Sequence, residues 1–138
     1  MTRRLLLLVT VAFCLRADSE QEVVDLIASA ATGLSADNPD VFLEAFDPAM
    51  PGYDKLRDSV VALASAAKLS CSIEVKSNEG DDAARSVELD WILRIDHKDG
   101  STVSTRRQQT VKCRLKKSGK KWRIVALEPL EFFALPKA

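Results

Sequence analysis

Val87-Glu88-Leu89-Asp90-Trp91-Ile92-Leu93-Arg94-Ile95-Asp96 (residues 87–96) decides the fold. Val87, Leu89, Trp91, Leu93 and Ile95 are apolar, and Glu88, Asp90, Arg94 and Asp96 between them are charged. A period of two puts the two sets on opposite sides of a pleated strand. The segment is therefore a strand with one face in a core and the other in water.

The same period extends to both sides. Leu69, Cys71, Ile73 and Val75 alternate with Ser70, Ser72, Glu74 and Lys76 in a preceding strand. A following strand, 102–116, carries Val103, Thr105, Arg107, Gln109, Val111, Cys113 and Leu115 on one face, polar in its middle. In the last strand Trp122, Ile124 and Ala126 face one way, and Arg123, Val125 and Leu127 the other. Turns are expected at Ser77 to Ala83, Asp99-Gly100 and Ser118-Gly119, short enough for hairpins.

Before Leu69 the period is helical. Ser19 and Glu22 form a capping box, followed by Val23, Val24, Ile27, Ala30, Ala31 and Leu34 on one face. Asp37 or Asn38 caps a second helix with Pro39 in its first turn and Val41, Phe42, Ala45 and Phe46 on its face. A third runs from about Asp54 to Ala67, with Leu56, Val60, Leu63, Ala64 and Ala67 aligned. Three helices followed by a four-stranded antiparallel meander make an α+β domain whose sheet buries its apolar face under the helices. Phe132 and Phe133 are expected to close that core.

The helical segment ending Phe46-Asp47-Pro48-Ala49-Met50-Pro51-Gly52-Tyr53, with Trp122-Arg123-Ile124 and Leu127-Glu128-Pro129, resembles the nuclear transport factor 2-like (NTF2-like, SnoaL-like) superfamily over about residues 20–135. The resemblance implies a cone, a curled sheet wrapped around helices with a pocket open at one end. Isomerase-type members carry a helix-borne Tyr, an acidic base on an early strand and a protonated carboxyl. The first helix here has no Tyr, and the link between the second and third helices is short, so no catalytic residue is carried across.

Strand register suggests a site. Since a one-residue slip exchanges the faces of a strand, an Asp99-Gly100-Ser101 loop sets Leu93 opposite Arg107, Trp91 opposite Gln109 and Val87 opposite Cys113. A Ser118-Gly119 turn then sets Gln109 opposite Glu128, Cys113 opposite Ile124 and Leu115 opposite Trp122. Trp91, Thr105, Arg107, Gln109 and Glu128 become one inward cluster, the expected ligand-binding residues. An Arg107–Glu128 pair answers the cost of taking charge out of water. The bland alternative is a half-solvated ion pair at the sheet rim; the functional one is a pocket where Arg107 receives an anionic or polar group. Glu128 is the only carboxylate expected inside, and a neighbouring guanidinium keeps it ionised, which disfavours a general base.

Cys71 and Cys113 fall two strands apart, roughly 10 Å, beyond the reach of about 7 Å between Cα atoms that a disulfide needs. They are expected as core thiols. His97 has no partners at metal-ligand spacing and is expected in solvent. Arg106, Lys112, Arg114, Lys116, Lys117, Lys120, Lys121 and Arg123 make the last hairpin basic, as edge-protecting charges do. Ile92, Thr110, Val125 and Leu127 form an apolar strip on the outer sheet face, a candidate homodimer surface.

The N-terminus resembles an export signal. Arg3 and Arg4 precede the uncharged run 5–15, of 11 residues, and Ala17 is a small residue before a cut. A spanning helix needs roughly 20 apolar residues, so no transmembrane segment is expected. Thr2-Arg3-Arg4-Leu5-Leu6 is similar to a twin-arginine leader, and Val11-Ala12-Phe13-Cys14 to a lipoprotein box with Phe13 where a small residue belongs. Residues 1–17 are thus expected as signal peptide and 18–138 as one NTF2-like domain, periplasmic or extracellular. Cleavage changes 20 basic and 20 acidic residues to 17 and 20, a net charge of −3, which gives no general attraction to nucleic acid. The expected function is a non-catalytic domain binding a small organic or anionic ligand without a cofactor. The alternatives are an isomerase- or cyclase-type enzyme, entered through Tyr53 or Asp47, and a protein-interaction module using the outer sheet face.

Overall fold

A computed structural model of the 138-residue chain describes residues 2–100, 102 and 104–134, with side chains from Ser19 onward. Three helices come first: α1 (Thr2–Ser35), α2 (Pro39–Glu44) and α3 (Tyr53–Ala66). Four strands follow, β1 (Ala67–Gly80), β2 (Ala84–His97), β3 (Ser104–Ser118) and β4 (Lys121–Glu128), antiparallel in the order β1-β2-β3-β4. After a cis Glu128–Pro129 bond the chain ends its described course in a short 3-10 helix, Leu130–Phe133.

The helices form where apolar spacing demands them. Val23, Ile27, Ala30, Ala31 and Leu34 of α1 are buried, as are Leu56, Val60, Leu63 and Ala64 of α3. Pro39 opens α2, where its missing N–H costs nothing. Gly33 lets α1 and α2 approach, since a Cβ there would sit 2.6 Å from Val41 Cγ1. The end of α2 is stitched to β4: the Ile124 amide donates to Ala45 O at 2.8 Å and the Asp47 amide to Ile124 O at 2.9 Å. Helix α1 runs through Ser19 without a break, and Ser19 is 3% exposed inside it, so Ser19 is not a cap in this structure. The side chains of the expected signal peptide lie outside the described residues, and among these no helix is long and apolar enough to cross a membrane.

The β2–β3 register is the expected one, with Leu93 opposite Arg107, Trp91 opposite Gln109 and Val87 opposite Cys113. Two hairpins differ from expectation. The β1–β2 turn contracts to residues 81–83, because the Asp81 carboxylate accepts the Ala83 and Ala84 amides at 2.8 and 2.9 Å. Those bonds hold its pKa below the ordinary value. The last turn is Gly119-Lys120 and not Ser118-Gly119: Ser118 pairs with Lys121, and Gly119, at φ +63°, occupies the position that favours glycine. That puts Lys117 opposite Trp122 and Leu115 opposite Ile124. Val125 is then left without a partner, so Arg114 meets Ala126 and Cys113 meets Leu127. This β-bulge returns the strand to the opposite parity.

Candidate functional site

Inside the curve of the sheet stands a cluster of rings. Phe42 of α2 lies 5.2 Å from Phe133, 6.4 Å from Trp91 and 5.0 Å from Phe46, centroid to centroid. Phe133 stands edge-on to Trp91 at 5.2 Å and to Phe132 at 5.1 Å. Tilted and edge-on contacts at these distances each add roughly 0.5–1.5 kcal/mol beyond the burial of area. Both Phe132 and Phe133 are buried, as their place in the sequence suggests.

The expected site residues meet this plug in different ways. Trp91 is part of it, 2% exposed, and its buried indole nitrogen has no hydrogen-bond partner of good geometry. The Cys71 thiol lies beside it: burial pushes that thiol's pKa up, partly offset by the Trp91 indole and the Ser35 hydroxyl. Ser35 bridges the first helix to the sheet, donating to Ala31 O and accepting the Cys71 amide at 2.9 Å. Thr105, opposite Ile95, is half-buried at the loop end of β3.

Arg107 is half-buried at the mouth of the cone. Its guanidinium donates to the Phe132 carbonyl at 2.7 Å, and burial lowers its pKa. Gln109 is exposed, although it stands opposite Trp91. Both line an open groove of about 550 Å³ together with Arg106, Gln108, Glu131 and Phe132.

Glu128 is not in the inward cluster. The shifted turn and the bulge set it opposite Lys112 on the outer face, exposed, and the expected Arg107–Glu128 pair does not form. Leu127 is corrected the other way. Expected on the outer strip, it is 5% exposed in the core, leaving Ile92, Thr110 and Val125 outside. The strip gives way to cross-strand polar pairs, Lys112 with Glu88 at 3.7 Å and the Gln108 amide donating to Asp90 at 3.0 Å.

Cys71 and Cys113 are free, held apart by β2, and burial lifts the Cys113 thiol's pKa to about 12. His97 ends β2 opposite Ala67, half-buried and not fully solvated. Among the described residues no group of His, Cys, Asp or Glu is arranged to hold a metal. In the basic hairpin, Lys117 approaches Glu22 of α1 at 3.9 Å and lies 6.0 Å from the Trp122 ring centre.

What sequence reasoning missed is the partner of Arg107. A backbone carbonyl carries no residue-type signal; only the expected proximity of Phe132 to the core pointed to it.

Neither the protein-family models nor the curated proteins compared with the chain gave a match. Solved structures did. A conserved protein from Planctomyces limnophilus superposes with a TM-score of 0.72 at 8% identity, covering 80% of this chain and 93% of that one. An NTF2-like superfamily protein from Salmonella enterica gives 0.66 at 14% identity, covering 80% and 89%. An NTF2-like protein of unknown function from Shewanella oneidensis gives 0.63 at 12%, covering 78% and 94%. The chain has the α+β NTF2-like cone fold.

Proposed function

We propose that the protein is an exported, non-catalytic binding domain that takes a small polar or anionic organic group in the rim groove, where Arg107 reads it. The observation that carries this is the state of Arg107. It is a half-buried cation held by a backbone carbonyl, and among the described residues no carboxylate lies within ion-pair distance of it. A cation partly removed from water gains from an anionic partner. Gln109 adds an amide beside it, and Glu131 on the same rim favours a ligand that carries a donor next to its anion. The interior supports binding over catalysis. General acid–base chemistry needs a titratable group poised near working pH against the substrate. Beside Trp91 the titratable side chain is the Cys71 thiol, which burial pushes further from that range, among aromatic and aliphatic neighbours.

Isothermal titration with lactate and with benzoate tests the groove. Lactate, with its hydroxyl donor, binds more tightly, and Arg107→Gln weakens it at least tenfold; equal affinity in the variant removes the reading. Intact mass spectrometry of the exported protein tests the address. A mass lacking residues 1–17 fits a released domain, and a lipid adduct at Cys14 replaces that by an anchored one. The net charge of −3 after cleavage supports a domain without nucleic-acid partners. Ile92, Thr110 and Val125 are what remains to support a homodimer, and sedimentation velocity decides it.

A further inference from the structure

The outer face of the sheet holds an arrangement that the rim groove does not use. The register sets Arg94 of β2 directly opposite Arg106 of β3, with Ser70 of β1 on the other side of Arg94. Directly opposed side chains start about 4.5–5.5 Å apart at Cβ, and like charges there are destabilising. Their local neutralisation is incomplete. Asp96 lies 3.5 Å from Arg94 Nε, and the same Nε donates to the Ser104 hydroxyl at 3.1 Å. Both contacts fall on one nitrogen and leave the two Nη groups of the Arg94 fork without a hydrogen-bond partner among the described residues. Arg106 commits one Nη, to Gln108 Oε1 at 3.1 Å. Lys68, opposite Asp96 on β1, adds a third cation to one carboxylate. The Arg94 side chain is 63% exposed.

Around the two forks the strands bring up hydroxyls. Ser70 and Ser72 of β1 and Ser104 of β3 line, with Arg94, Arg106 and Ile92, a concavity of about 340 Å³. Arg at both positions matters, because a guanidinium presents paired donors in one plane where Lys presents a point charge. Two forks from adjacent strands and the Ser70 and Ser72 hydroxyls of β1 supply donors from more directions than the two coplanar oxygens of a carboxylate can use; the Ser104 hydroxyl is already engaged by Asp96 and Arg94. A tetrahedral group, with three or four oxygens, uses them.

We propose that the Arg94–Arg106 pair, with Ser70 and Ser72, is a binding site for a tetrahedral oxyanion, a phosphate or sulfate group on a small organic molecule. The site is separate from the rim reading and does not rest on it, since Arg107 lies on the other face of β3. Arg106 borders both concavities, so Arg94 is the discriminating residue.

The test is an NMR titration of the whole protein at low ionic strength with inorganic phosphate, inorganic sulfate, phenyl phosphate, phenyl sulfate and acetate. Saturable shifts of the Arg94 and Arg106 side-chain Nε–H signals are expected with the tetrahedral anions, at least fivefold tighter than with acetate. The phenyl esters against the inorganic ions tell whether an organic carrier adds affinity, as proposed. Binding weakens at least tenfold in Arg94→Gln and stays within twofold in Lys55→Gln, which removes the same charge from an exposed position on α3. Because Arg94 is exposed, Arg94→Gln folds, which a thermal melt confirms; phosphate raises the melting midpoint of the parent and not of the variant. Shifts that do not saturate, acetate binding as tightly as phosphate, esters binding more weakly than the inorganic ions, or an Arg94→Gln affinity equal to the parent's each overturns the proposal.

Discussion

Along the inward face of β3, Val111, Cys113 and Leu115 are 0, 2 and 1% exposed, while Thr105, Arg107 and Gln109, on the same face of the same strand, are half-buried or open. The backbone is the same extended ribbon throughout, so the difference comes from what lies over it. At the Leu115 end, α1 passes close enough for Glu22 to reach Lys117. At the Thr105 end the cover is the last 3-10 turn, which offers Arg107 a backbone carbonyl. One half of the strand is held by apolar burial, the other by a polar contact that leaves valence to spare. A strand of this kind carries a site without a break in secondary structure.

The contrast is open to attack, and the most severe attack moves a charge from one half to the other. Val111→Arg buries an unpaired guanidinium, which costs several kcal/mol; circular dichroism should find the variant largely unfolded. A folded variant of near-parent stability would mean that the covered half is no more closed than the open one. Next comes the plug between the halves. Phe133→Ala removes a fully buried ring and should cost about 3–5 kcal/mol in urea unfolding; a loss below about 1 kcal/mol would mean that the ring is dispensable.

A milder probe uses pH. Burial lifts the Cys113 thiol's pKa from 9.0 to about 12. The unfolded chain therefore ionises first, so this contribution to stability is intact below pH 9 and fades as pH rises toward 12. The decline is at most about 1.4 kcal/mol per pH unit for one thiol, and Cys113→Val should flatten it in urea titrations at pH 8 and pH 10. An unchanged slope in the variant would assign the effect elsewhere. The smallest effect is expected in the open half, where Arg107→Leu should change the unfolding free energy by less than about 1 kcal/mol. A larger loss would make Arg107 a structural strut.

The same contrast explains what could be read in advance. The β2 alternation, the helical faces and the closing role of Phe132 and Phe133 were legible because each is a statement about burial, and apolar side chains report burial directly. The polar interruption Thr105-Arg107-Gln109 was legible as a departure from that pattern. Glu128 was not. Ser118-Gly119 and Gly119-Lys120 are equally good two-residue turns on paper, and Gly119's φ separates them only in three dimensions. The clue to the bulge was present in the spacing of Trp122, Ile124 and Leu127, two residues and then three, but Ala126 completed a false alternation and hid it. The outer Arg94–Arg106 pair followed from a register read correctly, although its like charges attracted no notice in the sequence.

The unpaired Val125 has a consequence for how this chain tolerates changes in length. Counting from the turn, β4 keeps step with β3 as far as Ile124, drops one beat, and resumes in the other phase. Deleting Val125 would leave Trp122, Ile124 and Leu127 facing the helices as before, with Glu128 still outside. Deleting Arg123 instead would put the earlier residues out of phase with everything after them. Within this strand, then, there is one place where a lineage can lose a residue and keep its inside and outside apart.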